Sequence, residues 1–219
     1  MKTQIHIASL LLLAVLCLTL AAFPASADTL YDNGPVNGNV GAWQINGGFV
    51  VSNSYVIGPG SSGGESAFRL GVWELPGDTL TSVDWSITSE ANGGTVYGSG
   101  TASGANLTDQ FLFTNQYGYE IDLVTMACAT GKEACCKGTH LKEVAWLNLQ
   151  NATTEQGDPV YWDENSGPSQ AYDSALGTIP SEAFTIYGSD SSTPEPSSLL
   201  LFGSGVLGIG GLLRKRLFG

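Results

Sequence analysis

The stretch Val83-Asp84-Trp85-Ser86-Ile87-Thr88 decides the fold. Bulky apolar side chains recur at every second position, with Asp, Ser and Thr between them. A period of two puts the first set on one face of a strand and the second on the other. Phe68-Arg69-Leu70-Gly71-Val72-Trp73 repeats the pattern, and Phe111, Phe113, Tyr119, Ile121 and Leu123 continue it. Gly47 to Ile57, Val144 to Leu149 and Phe184 to Tyr187 read as further strands. Turn clusters separate them: Asn33-Gly34-Pro35, Gly58-Pro59-Gly60, Pro76-Gly77-Asp78, Asn92-Gly93-Gly94 and Ser166-Gly167-Pro168. No stretch holds the helical period for ten residues. Roughly eight to ten short strands joined by turns predict an all-β domain over residues 28–188, an antiparallel two-sheet sandwich of jelly-roll type. Trp43, Trp73, Trp85 and Trp146 fall in the strand-like runs and are expected in the core or on a sheet face.

Around that domain the composition narrows the function. The 219 residues include 29 glycines, and 20 acidic against 8 basic side chains give a formal net charge of −12. The charged share is 13%, against a soluble-protein average of roughly 25%. Within residues 28–188, 18 Asp/Glu face only Arg69, Lys132, Lys137 and Lys142, a net of −14. A chain so poor in clustered Lys and Arg is not a nucleic-acid binder. It repels anionic polysaccharide unless divalent cations bridge the two.

Both ends are apolar. Lys2 precedes the run Ile7 to Ala22, Pro24 breaks it, and Ala25-Ser26-Ala27 fits the small-x-small cleavage rule. Residues 1–27 are therefore expected to be a signal peptide with a helical core, cleaved between Ala27 and Asp28. At the other end, Ser197 to Leu213 is apolar and Arg214-Lys215-Arg216 follows at once. At about 1.5 Å per residue the segment reaches roughly 25 Å, enough for a short transmembrane helix. The basic cluster would hold its end in the cytoplasm. Residues 189–193 form a polar linker, and the prolines beyond keep the next stretch extended.

That stretch is Pro194-Glu195-Pro196-Ser197. With the Leu/Gly-rich span and the Arg214-Lys215-Arg216 tail, residues 194–219 resemble the PEP-CTERM sorting signal of Gram-negative bacteria. Thr193 stands where many members have Val. The resemblance implies recognition of Pro194, Glu195 and Pro196 by an exosortase in the inner membrane. It also implies cleavage near the motif, delivery to the cell surface or extracellular matrix, and a setting in which exopolysaccharide is made. It says nothing about the activity of residues 28–188.

Three cysteines of the body, Cys128, Cys135 and Cys136, sit in one segment with His140. In an exported chain a loop disulfide from Cys128 to Cys135 or Cys136 is expected. A zinc site of three sulfurs and His140 is the alternative, although C-x6-CC-x3-H fits no zinc template. A Cys–His nucleophile pair lacks an orienting partner.

The most polar-aromatic segment is Tyr161-Trp162-Asp163-Glu164-Asn165. Flat rings beside carboxylates and an amide could bind a sugar, and the same oxygens could bind Ca²⁺. This is a candidate binding loop; Asp163 and Glu164 are adjacent, and on a strand they would point to opposite faces and could not flank one glycosidic bond. Asp84 and Glu120 could meet across sheets. Neither a nucleophile elbow nor a phosphate loop is present. The expectation is a non-catalytic surface or matrix protein needing no cofactor. A carbohydrate- or calcium-binding module is the second reading and a glycan-active enzyme the third.

Overall fold

A computed structural model describes residues 28–56, 65–128 and 143–188. The signal segment, the sorting tail, Cys135, Cys136 and His140 lie outside these residues. Among the described residues no helix is long and apolar enough to cross a membrane. The strands in chain order are β1 (Asp28–Asp32), β2 (Ala42–Gln44), β3 (Val50–Tyr55), β4 (Glu65–Glu74), β5 (Leu80–Glu90), β6 (Gly93–Ser103), β7 (Leu107–Thr114), β8 (Glu120–Ala127), β9 (Ala145–Thr154), β10 (Tyr161–Asp163), β11 (Ala171–Asp173), β12 (Gly177–Ile179) and β13 (Phe184–Gly188).

They form two antiparallel sheets. One runs β12-β11-β3-β9-β5-β6. The other is built on β4. Along one edge β4 pairs with β8, and β7 lies beyond it. Along the other edge β13 takes Glu65 to Leu70 and β10 takes Val72 and Trp73. Beyond these lie β1, paired with β13, and β2, paired with β10. Asp28 pairs with Gly188, so the two ends of the domain stand side by side.

The alternation seen in the sequence sets the inward faces. Phe68, Leu70, Val72, Val124 and Met126 from one sheet join Val83, Trp85, Ile87, Leu147 and Leu149 from the other in a single buried cluster. Phe68 and Trp85 meet across it with ring centroids 5.7 Å apart. The Trp85 ring lies over Gly100 of the neighbouring strand, where a Cβ would come within 3.0 Å of it. A side chain at position 100 would therefore displace the ring.

The turn between β4 and β5 follows from its residues. Pro76 fixes one φ, Gly77 takes φ +79°, and the Asp78 N–H donates to the Leu75 carbonyl at 3.1 Å. This is the type II combination. It ends β4 at Glu74 and brings Asp78 and Thr79 over the end of the sheet.

Candidate functional site

Two places concentrate polar chemistry. The first is the outer face of the β4 sheet, where β10 puts the segment singled out in the sequence. Pairing decides each side chain's direction. Trp162 pairs with Val72, an inward position, and is fully buried, donating its indole N–H to the Ala183 carbonyl at 2.9 Å. The expectation that Trp162 offers a ring to a sugar is thus corrected: both its faces are packed in the core. Asp163 points outward. It accepts N–H groups from Trp73 Nε1 at 2.6 Å, Asn37 at 2.8 Å and Gly38 at 2.9 Å. These bonds fasten the 33–41 segment over the sheet. Burial nevertheless holds its carboxyl above the usual range, the donors offsetting part of that and the Glu164 charge adding to it.

Glu164 has different company, accepting the Trp43 indole N–H at 3.2 Å. Asn165 donates to the Asn33 carbonyl at 2.8 Å and accepts from Gly167 N–H at 2.9 Å, so its amide closes a turn. Tyr161 stays half-buried on the outer face. It belongs to an aromatic row: Tyr161 packs edge-on to Tyr119 (5.8 Å), Tyr119 tilts against Trp73 (5.7 Å), and Trp73 stacks on Tyr117 (6.0 Å). Tyr117 is 58% exposed.

Next to Glu164, Glu182 is 0% exposed and neither carboxylate oxygen has a hydrogen-bond partner. Burial first, then the charges of Glu164 and Asp163, raise its pKa well above that of an ordinary glutamate.

The second place was not picked out from the sequence. Glu74 ends β4, Asp122 lies on β8 and Asp109 on β7. Val72 pairs with Asp122, Asp122 with Phe111, and Glu74 and Asp109 lie two residues along their own strands. Side chains two apart share a face, so the three carboxylates converge, each offering an oxygen within 4.8 Å of the others. Asp109, Glu120 and Asp122 line a cleft of about 290 Å³ together with Gly77, Asp78, Thr79 and Phe111.

The electrostatics of this cleft are unfavourable to its own charges. Burial first, then Asp109, Asp122 and Asp78, push the Glu74 pKa up to about 8. Burial, then Asp109 and Glu120, push Asp122 up to about 7. Asp109 is raised by burial, with the N–H groups of Leu80 and Gln110 offsetting part of it. Asp78 is held below its usual value despite burial, because Thr154 and the N–H groups of Thr79, Gln156 and Asp158 bind its carboxylate. The pair Asp84 and Glu120 is not brought together: the Asp84 oxygens accept from Thr101 and Asn151, while Glu120 accepts the Gly77 N–H at 3.2 Å.

Comparison with known proteins bears on the tail alone. No curated protein matches the chain at a significant level. A family model described as the PEP-CTERM protein-sorting motif matches residues 192–216, which contain Pro194-Glu195-Pro196 and the Arg214-Lys215-Arg216 cluster. The chain therefore carries a PEP-CTERM protein-sorting motif, the recognition signal of an exosortase.

Proposed function

We propose that this is a non-catalytic surface or matrix protein of an exopolysaccharide-producing Gram-negative bacterium. It is led out of the cytoplasm by residues 1–27, held briefly in the inner membrane by residues 197–213, and handed to an exosortase. The match at residues 192–216 carries the reading. The acidic, lysine-poor surface supports it, since such a domain stays soluble and apart from anionic lipid. The frequent passage of the chain between the two sheets supports a jelly-roll topology. A disulfide from Cys128 to Cys135 or Cys136 belongs to this reading, because an exported chain meets oxidants. On the outer face Asp163 is committed to three N–H donors, which supports a structural role for it.

The test is to change Pro194-Glu195-Pro196 to alanines and follow the chain by fractionation and intact mass. The variant is expected to accumulate in the inner membrane with its tail uncut. Unchanged surface display and unchanged tail processing would overturn the proposal.

The aromatic row favours a second reading, a glycan platform. Tyr161, Tyr119, Trp73 and Tyr117 run across one face, with Tyr117 open to solvent. The exposed Tyr117 ring, backed by Trp73, offers an apolar face to a pyranose ring.

A further inference from the structure

We propose that Glu74, Asp109 and Asp122 form a calcium site at the inner rim of strands β4, β8 and β7. Strand alternation gives the first reason. Phe68, Leu70 and Val72 face the core and Glu74 comes next on that face. Val124 and Met126 face it on β8 with Asp122 before them, and Leu107 faces it on β7 with Asp109 after it. Three adjacent strands thus place an acid where the pattern calls for an apolar side chain. A cation bound to the acids would make that placement favourable, since unpaired carboxylates are costly to bury in charged form.

The second reason is independent of the clustering. Glu74 is 0% exposed, and both its carboxylate oxygens lack a hydrogen-bond partner. Asp109 Oδ1 is likewise buried and unpartnered. Among the described residues Arg69 is the only Lys or Arg, and its guanidinium lies over the Tyr187 ring, 5.1 Å from the centroid. No described cationic side chain is left to neutralise the cluster.

The donors select the ion. Carboxylate oxygens from three strands, with Asp109 and Asp122 lining an open cleft from which water can complete the shell, suit a hard cation with a high and flexible coordination number. The absence of sulfur and imidazole from the cluster disfavours zinc and copper. Mg²⁺ demands stricter octahedral geometry and holds its waters more tightly. Sites of this class in extracellular modules bind with Kd of about 10⁻⁴ to 10⁻³ M. The ion would therefore load outside the cytoplasm and tie the turn after β4 to β7 and β8. That timing rests on the export reading, whereas the binding does not.

The experiment is calorimetric titration of the exported chain with CaCl₂, with a parallel thermal melt in chelator and in calcium. One equivalent of Ca²⁺ is expected to bind. At 100-fold excess over Kd it should raise the folded-to-unfolded ratio about 100-fold. Glu74→Gln and Asp109→Asn should each weaken binding at least tenfold, and Asp84→Asn, on the other sheet, should not. Glu74→Gln removes only an unpartnered charge and should fold as well as the parent in chelator. Asp109→Asn, at a half-buried position, gives an independent reading if it does not. No heat and no melting shift, a preference for Mg²⁺ over Ca²⁺, or binding that survives both substitutions would each overturn the proposal.

Discussion

Replacing Glu182 with glutamine should remove the pH dependence that this one carboxyl imposes on stability. In the folded domain Glu182 is 0% exposed, and its oxygens have no partners. Its pKa is raised well above the ordinary value by burial and by the charges of Glu164 and Asp163. The unfolded chain ionises it near pH 4.3. Below that pH both states hold the proton and the group costs nothing. Above it the unfolded state releases a proton that the folded state keeps, so folding stability falls as pH rises towards the folded pKa. One proton is worth about 1.4 kcal/mol per pH unit. The loss accumulates at up to that rate over the interval between the unfolded and the folded value. Glutamine has nearly the same shape and no proton to lose. Urea unfolding of both proteins, followed by tryptophan fluorescence at pH 5, 6 and 7 and fixed ionic strength, isolates Glu182 and its coupling to Glu164 and Asp163, because the carboxyls that do not interact with it cancel in the difference. The glutamine variant should gain on the parent as pH rises, by up to about 1.4 kcal/mol for each unit. A difference that stays constant across the three pH values would refute the reasoning, since Glu182 would then be ionised or paired in the folded state.

Two further outcomes are expected. Trp162→Ala should cost about 3–5 kcal/mol, because it empties a fully buried site; a urea midpoint within error of the parent would show that the ring is not part of the core. Tyr117→Ala should leave the unfolding midpoint nearly unchanged, the ring being 58% exposed. On a matrix-polysaccharide affinity gel it should abolish any retardation shown by the parent, and retardation equal to the parent's would remove the glycan reading.

How much of this was legible in the sequence differs from element to element. The strands around Phe68 to Trp73 and Val83 to Thr88 could be read because one face of each is packed and the other is not, so the alternation is written in residue type. β10 could not be read that way. It has three residues, Tyr161 to Asp163, and the environment of each is fixed by pairing to β2 and β4, which are distant in sequence. Trp162 therefore looked like a loop aromatic, and Asp163 like a ligand for something outside the protein. The acidic cluster was half legible. Glu74 visibly continues the inward series Phe68, Leu70, Val72, and that break in pattern was the available signal. Its meeting with Asp109 and Asp122 depends on the register of β4 with β8 and of β8 with β7, which no local pattern encodes.

The side-by-side position of Asp28 and Gly188 has a mechanical consequence. If the segment after Gly188 is a tether, tension along it enters the domain through β13. That strand is flanked on both sides, by β1 and by β4, rather than lying at a sheet edge. Load applied there spreads over two ladders at once, so the domain can be dragged by its tail across a cell envelope without the last strand being peeled away first.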